Sequence, residues 1–265
     1  MGLLERAYVG LTGQMASFLV LLLLGPVGSG CAVTAPSPHL DAYLGTFSQP
    51  DAETVDEFPA GLRVGLAVVN DVTGSESAPA LTEDALVFVT DQARRHVGSI
   101  LPLSVVAIAS PSVRHAGDRP ATWDDLAHAQ QVDHLLLAVI SSVEITSAMT
   151  VPLDGTQEGG GAMGRLPGSS TVQHALAELA LVDAQNGTIL ARAEGRTMST
   201  LEQLTGGLTS NAYPVIRRSG RMQRIAAPRD DGEAHDFLRS LAADEAIELA
   251  AYNLKGRWKR ERPVP

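Results

Sequence analysis

The chain has 265 residues, of which 45% are hydrophobic and 4% aromatic, and its formal net charge is −10. The apolar fraction is that of a globular protein and excludes global disorder, and the acidic balance argues against a general nucleic-acid binder. Cys31 is the one cysteine of the chain, which excludes an internal disulfide framework and a multi-thiolate zinc site.

Residues 1–30 have the layout of an export signal. The apolar run over residues 16–24 has the length of a signal-peptide core, whereas a membrane-spanning helix needs about 20 apolar residues. Gly28, Ser29 and Gly30 then precede Cys31, and small residues before a lone cysteine resemble the lipobox of bacterial lipoproteins. The resemblance implies cleavage before Cys31 and acylation of its thiol. An ordinary secretory signal peptide and a retained anchor are the alternatives.

Residues 31–60 are predicted to form an extended tether, because Pro36, Pro38, Pro50 and Pro59 interrupt a polar sequence. Within it, the short patch at residues 40–44 is able to dock on the domain that follows. Ala32, rather than Asp, follows Cys31. By analogy with enterobacterial lipoprotein sorting, this favours the outer membrane.

An α/β domain is predicted over residues 61–200. Its first part alternates strands and helices, placed by apolar runs, helical spacing and capping signals. We expect strands at 62–71, 103–109 and 133–146 and helices at 81–97 and 122–131. Thr82 is a candidate N-cap and Gly98 a helix stop. Residues 122–125 form a capping box in which Asp125 takes the place of the usual Glu or Gln.

The second part of the domain begins with residues 147–171, which are rich in Gly, Pro and Ser and are predicted to be a flexible loop. A β-hairpin follows over residues 172–193, because Asn186-Gly187 between two apolar runs is a strong turn signal. Together these elements predict a mixed β-sheet with helices packed on it, in the order β-α-β-α-β and then a β-hairpin, plus a C-terminal helix. Right-handed crossovers make the first three strands parallel.

Residues 201–265 are predicted to contain an irregular basic segment, a C-terminal helix over residues 234–254 and a basic tail. The helix is expected to bury one apolar side, formed by Phe237, Leu238, Leu241, Leu249 and Tyr252.

Three segments of the predicted domain resemble a superfamily of bacterial envelope lipoproteins. They are the run from Val64 to Gly74, with its Asn-Asp-Val-Thr-Gly turn, the run from Ala129 to Ala138, and the hairpin from Leu179 to Leu190. The superfamily includes the curli-secretion lipoprotein, the penicillin-binding-protein activator lipoprotein and the N-terminal domain of the Tol-Pal translocation protein. A narrower resemblance, to rhombotarget-type lipoproteins, rests on the patch at residues 40–44 and the closing helix with its basic end. The resemblance covers residues 62–200 and implies an envelope protein.

Three groups of residues were considered for chemistry. Asp124, Asp125, His128 and His134 carry side chains that ligate zinc, although capping and surface roles explain them more simply. Glu144 and Glu178 are expected to point outward from their strands, the alternative being a pair of catalytic carboxylates in one cleft. Gly159, Gly160 and Gly161 follow no strand and open no helix, which favours a loop over a phosphate cradle. We therefore expect no metal, no cofactor and no catalytic residue.

Half of the Lys and Arg residues lie near the C-terminus, where they are candidates for binding an anionic partner. The first cluster comprises Arg217, Arg218, Arg221, Arg224 and Arg229, and the second comprises Lys255, Arg257, Lys259, Arg260 and Arg262. The alternative is a basic tail that only increases solubility.

The sequence thus predicts a lipid-anchored, non-enzymatic binding or assembly module on the periplasmic face of the outer membrane. Its expected contacts are the membrane, through Cys31, and an envelope protein, with no nucleic acid. The alternative function is a small-ligand receptor or hydrolase with a cleft near residues 147–171.

Overall fold

The computed structural model describes residues 35–45, 61–152, 165–205, 214–218, 221–224 and 230–260. In chain order, these residues form the following elements: α1 (Asp41–Leu44), β1 (Leu62–Val72), α2 (Glu83–Ile100), β2 (Leu103–Ile108), β3 (Ser112–His115), α3 (Trp123–Gln130), β4 (His134–Pro152), β5 (Arg165–Asp183), β6 (Thr188–Leu204), β7 (Val215–Arg218), β8 (Arg221–Arg224) and α4 (Asp231–Arg260). No helix among them is long and apolar enough to span a membrane.

The strands form one mixed sheet in the order β2-β1-β4-β5-β6-β7-β8, with β3 paired to β1 beyond the end of β2. β1 is parallel to β2, β3 and β4, and the pairs from β4 to β8 are antiparallel. The predicted mixed α/β fold with a C-terminal helix is therefore confirmed. One strand, β3, lies between β2 and α3 and was not predicted.

Alternate residues of each strand point to opposite sides of the sheet, and both sides are covered in its central part. On the helix face, Val64 and Leu66 of β1 belong to the core formed with α2 and α4. On the other face, Ala67 and Val69 pack with Leu40, Tyr43 and Leu44 and with residues of α3. We call residues 35–45 the strap and this second side the strap face.

The prediction of an extended tether over residues 31–60 is wrong for residues 35–45. Residues 35–45 are not free spacer, because Leu40, Tyr43 and Leu44 are each 2% exposed or less. The expectation that residues 40–44 dock on the domain is thereby confirmed. The rest of the predicted tether, 31–34 and 46–60, lies outside the described residues.

The predicted loop over residues 147–171 is wrong at both ends. Residues 147–152 belong to β4 and residues 165–171 to β5, and these strands pair without interruption from His134 opposite Asp183 to Pro152 opposite Arg165. Gly168 and Pro167 lower strand propensity locally, but the continuous ladder outweighs that preference. Residues 153–164 lie outside the described residues.

The C-terminal region also departs from the prediction. The segment expected to be irregular contains the end of β6 and the short strands β7 and β8. The helix extends to Arg260, so Lys255 to Arg260 are helical and do not belong to a tail. Its buried side is formed largely by alanines, whereas Leu249 and Tyr252 are exposed.

An ion pair between α2 and α4 gives a pH-dependent contribution to stability. His96 Nε2 lies 2.7 Å from Asp244 Oδ1, and this hydrogen bond raises the pKa of His96 above its ordinary value. Because the raised pKa belongs to the folded state, the contribution is complete below the unfolded pKa of about 6.5 and is lost as pH rises through the folded pKa. Replacing His96 with Gln should therefore remove part of the fall in unfolding free energy above about pH 6.5. Denaturant titrations of both proteins across this range measure the difference, and identical pH slopes would contradict the assignment.

Candidate functional site

The densest cluster of polar contacts surrounds Asp71, at the end of β1 on the strap face. Its side chain is fully buried. Oδ1 accepts hydrogen bonds from the backbone N–H and the hydroxyl of Thr73, at 3.0 and 2.6 Å, and Oδ2 accepts one from the Tyr43 hydroxyl at 2.8 Å. Two basic side chains complete the cluster: His39 Nδ1 lies 2.9 Å from Oδ1, and Arg114 Nη1 lies 3.0 Å from Oδ2.

The electrostatics of this cluster favour an ionised Asp71. Burial alone would raise the pKa of the carboxyl, but hydrogen bonds from Thr73, Tyr43 and His39 outweigh it and hold the pKa below its usual value. Burial and the bond to Asp71 raise the pKa of the Tyr43 phenol, which therefore stays neutral as a donor. The Arg114 guanidinium also lies over the Tyr43 ring, 5.2 Å from its centroid.

The cluster fastens the strap to the sheet. His39 and Tyr43 belong to the strap, while Asp71, Thr73 and Arg114 belong to the domain. The donors that surround the carboxylate are thus used for an internal contact. The arrangement joins the strap to the sheet, and we call it the Asp71 clasp.

Glu178 forms a second attachment of the strap. Its Oε2 accepts hydrogen bonds from the backbone N–H groups of His39 and Leu40, at 2.6 and 3.0 Å. Burial raises the pKa of this carboxyl despite the two bonds. The expectation that Glu178 points to solvent is wrong, since the residue is 5% exposed.

The catalytic-pair alternative for Glu144 and Glu178 fails on geometry. Glu144 lies on the helix face, where it pairs with His235 and Arg239 of α4, each at 2.7 Å. Burial would raise the pKa of Glu144, but these two partners lower it below the usual value. Because the two carboxylates lie on opposite faces of the sheet, they share no cleft.

The residues that were candidate zinc ligands form a helix cap and a surface ion pair instead. Asp125 and Thr122 form the predicted capping box at the start of α3. Asp124 pairs with His128 at 3.2 Å on the same helix, and both side chains are largely exposed. His134 lies at the start of β4, opposite Asp183. Among the described residues, no group of three or more acidic, His or Cys side chains could hold a metal ion.

The structure does not bring the two basic clusters together. Arg217 and Arg218 are neighbours on β7 and point to opposite faces, and Arg217 pairs with Glu202 at 2.8 Å. β7 packs through Ile216 against Leu238 and Leu241 near the start of α4. Lys255 lies 14 residues beyond Leu241 (255 − 241), which is about 21 Å along the helix.

The other members of these clusters are only partly described. Arg221 and Arg224 lie on β8, the edge strand, and Lys255, Arg257, Lys259 and Arg260 lie on the last turns of α4. Arg229, Arg262, Gly159 to Gly161, Cys31 and the predicted signal peptide lie outside the described residues.

A groove of about 550 Å³ opens on the helix face, between the N-terminal ends of α2 and α4. Phe88 and Phe237 line it, together with the side chains of Asp84, Asp230, Glu233 and Asp236. Its lining includes no residue of 147–171, so it is not the cleft expected beside that segment.

The Asn-Asp-Val-Thr-Gly turn was recognisable in the sequence, but the role of Asp71 was not. The usable signal was a carboxylate at the end of an otherwise apolar strand, because a buried charge requires partners. The partners Tyr43 and Arg114 are 28 and 43 residues away in the chain. No local pattern connects them with Asp71.

Comparisons with known proteins give distant structural neighbours. No protein-family model matches the sequence, and no curated protein matches it. A PelC dodecamer from Paraburkholderia phytofirmans is 12% identical, with a TM-score of 0.28, over 76% of this chain and 92% of that one. A homologue of a neuraminyllactose-binding hemagglutinin from Helicobacter pylori is 9% identical, with a TM-score of 0.33, over 79% and 96%. Protein XCC0632 from Xanthomonas campestris is 11% identical, with a TM-score of 0.21, over 78% and 94%. At these TM-scores, the similarities carry no argument about this chain.

Proposed function

We propose that this chain is a lipid-anchored envelope protein that acts as a non-enzymatic binding or assembly module. Cys31 carries the lipid, and the domain lies on the periplasmic face of the outer membrane. The observation that carries the proposal is the docked strap, which begins four residues after Cys31 (35 − 31) and is held by the Asp71 clasp and Glu178. A lipid on Cys31 would therefore hold the folded domain itself near the membrane.

The non-enzymatic part of the proposal is supported by how the polar side chains are used. Asp71 and Glu178 hold the strap, and Glu144 joins the sheet to α4. These three carboxylates thus form contacts that stabilise the fold. The partner is an envelope protein that presents anionic groups to β7 and β8, where Arg217, Arg218, Arg221 and Arg224 lie.

We also propose that residues 62–200 belong to the lipoprotein superfamily that the sequence resembles. In this view the family's β-α-β-α-β order corresponds to β1-α2-β2-α3-β4, and β3 is an addition. The turn after β1 supports this proposal, because its Thr73 hydroxyl and backbone N–H both bind Asp71. The motif is therefore part of the hydrogen-bond network around the buried Asp71 carboxylate.

Replacing Cys31 with Ser should abolish anchoring. We expect wild-type protein from membrane fractions to begin at Cys31 and to carry acyl chains, each contributing about 0.8 kcal/mol per buried methylene. The variant should lack the acyl mass and leave the membrane fraction. Intact-mass spectrometry and fractionation measure both outcomes. A wild-type protein without acyl mass would overturn the proposal.

Ala32→Asp is the matched variant for localisation, because it keeps Cys31 and changes only the following residue. By the sorting analogy, it should remain acylated and move to the inner membrane. Unchanged fractionation of the acylated variant would remove the argument for the outer membrane while leaving the anchor intact.

A further inference from the structure

Strands β4, β5 and β6 continue well beyond the central sheet. Ile140 is the last β4 residue paired with β1, and from there the three strands run on as an antiparallel ribbon. We call residues 141–152, 165–176 and 196–204 the extension.

The two sides of the extension differ in how far they are covered. On the helix face, α4 covers part of the extension, since Leu201 packs with Leu238 and Leu241 and is fully buried. On the strap face, Ile145 lies opposite Val172, and Met198 lies in the neighbouring row of paired residues; Ile145 is 38% and Met198 55% exposed. A polar row of Ser147, Ser170 and Glu202 follows, and Met149, Val151, Leu166 and Leu204 lie beyond it. We call the strap face of the extension its apolar side. The outer part of the opposite side carries Thr146, Ala148, Thr150 and Ser169.

The strap leads toward this apolar side. The Pro36 carbonyl accepts a hydrogen bond from Arg196 at 3.3 Å, and the Ser37 carbonyl accepts one from Ser141 at 3.1 Å. Ser141 and Arg196 both pair with Leu176, so that these three residues form the first row across the strands of the extension. Met198, two residues beyond Arg196, is about 7 Å from that row.

The chain before the strap is too short to carry a lipid far away. Pro36 lies five positions after Cys31 (36 − 31), and five steps along the chain span at most about 18 Å when fully extended. A lipid on Cys31 is therefore attached within about 18 Å of Pro36, and Pro36 contacts Arg196 in the first row of the extension.

The charges also favour this side over the helix face. Arg196 pairs with Glu194, and Arg217 pairs with Glu202, so that each carboxylate on this part of the strap face has a cationic partner. The groove on the helix face is instead lined by several carboxylates, which anionic lipid headgroups would repel.

We propose that the apolar side of the extension lies on the lipid surface that holds Cys31, with Ile145, Val172 and Met198 as its first contacts. The inference rests on the proposed lipid anchor. It adds the orientation of the domain, in which the groove on the helix face and α4 point away from the membrane. An apolar side of this kind binds by placing its side chains at the boundary between headgroups and acyl chains.

The test uses single cysteines on the two sides of the extension. Met198→Cys and, as its matched control, Ala148→Cys are made in the full chain, labelled with an environment-sensitive fluorophore and reconstituted into phosphatidylethanolamine–phosphatidylglycerol vesicles containing nitroxide-labelled lipid. The label at position 198 should lose about half of its fluorescence to the lipid quencher, since interfacial side chains reach about 5–10 Å into the boundary. The label at position 148 should stay as bright as in lipid without nitroxide.

Equal quenching at the two positions overturns the inference. So does a disulfide between two Met198→Cys chains in a parallel unlabelled sample under mild oxidation, if the labelled sample shows no quenching, because a second copy would then cover the surface. Intact mass of the same samples separates the two proposals. Equal quenching of an acylated protein contradicts the orientation alone, whereas a protein without acyl mass contradicts the anchor and the orientation with it.

Discussion

Replacing Asp71 with Ala is expected to lower the free energy of unfolding by about 3 kcal/mol, at the lower end of the range for breaking a buried ion pair. The substitution leaves the Tyr43 hydroxyl without its acceptor and Arg114 without its anionic partner. Both groups then carry a desolvation cost that nothing offsets. Because these partners hold the strap, the strap should also detach from the sheet.

Two measurements on the full chain test this expectation. Denaturant titration gives the loss in unfolding free energy, and limited proteolysis with mass analysis shows whether cleavage within residues 35–45 becomes faster. Asp124→Ala is the matched control, because Asp124 is exposed and pairs with His128 at the surface, and a surface ion pair contributes at most about 1 kcal/mol. If Asp71→Ala unfolds at the same midpoint as Asp124→Ala, the clasp does not hold the strap.

The same contact should be sensitive to acid in the wild-type protein. Since the folded pKa of Asp71 is lowered, its contribution is complete above the unfolded pKa of about 3.9 and is lost as pH falls through the folded pKa. Cleavage of the strap by an acid-active protease should thus accelerate below about pH 4 in the wild type. In Asp71→Ala it should already be fast at neutral pH.

Features set by short-range contacts were predictable from the sequence. The capping box at Thr122 and Asp125 joins residues three apart, and the turn between β5 and β6 is closed by Asp183 bonds to Gln185 and Asn186. In both cases, the residues that determine the structure lie within one turn of each other. The first strand was equally clear, because its buried run is continuous.

Features set by distant partners were not predictable. Glu178 is buried because the strap, 138 residues away in the chain, supplies the N–H of Leu40. No pattern in the residues around Glu178 predicts this contact. Residues 147–152 and 165–171 have a loop-like composition but form strands because each supplies the other's hydrogen bonds. The buried side of α4 was predicted correctly at Leu238 and Leu241 but not at Leu249, because large apolar residues were counted and alanines were not. Leu249 is exposed, whereas Ala246 and Ala250 are fully buried.

These alanines allow an unusually close approach of α4 to β6 at Gly195. A Cβ added at Gly195 would collide with backbone atoms of α4, the Ala246 carbonyl oxygen and the Ala250 nitrogen. Backbone atoms in a helix cannot rotate away as a side chain can. We therefore expect Gly195→Ala to push α4 away from the sheet and to lower the free energy of unfolding by about 3 kcal/mol, the upper part of the range for overpacking.

Gly98→Ala is the matched control, because it is the same substitution with the opposite expected sign. Gly98 is exposed within α2, and a Cβ there meets no atom within 4 Å. Alanine at an exposed helical position should raise stability by about 0.5–1 kcal/mol relative to glycine. Denaturant midpoints of the two variants and the wild type give the comparison. A Gly195→Ala protein as stable as Gly98→Ala would mean that α4 can move outward at little cost, and the contact with β6 would then not fix the position of the helix.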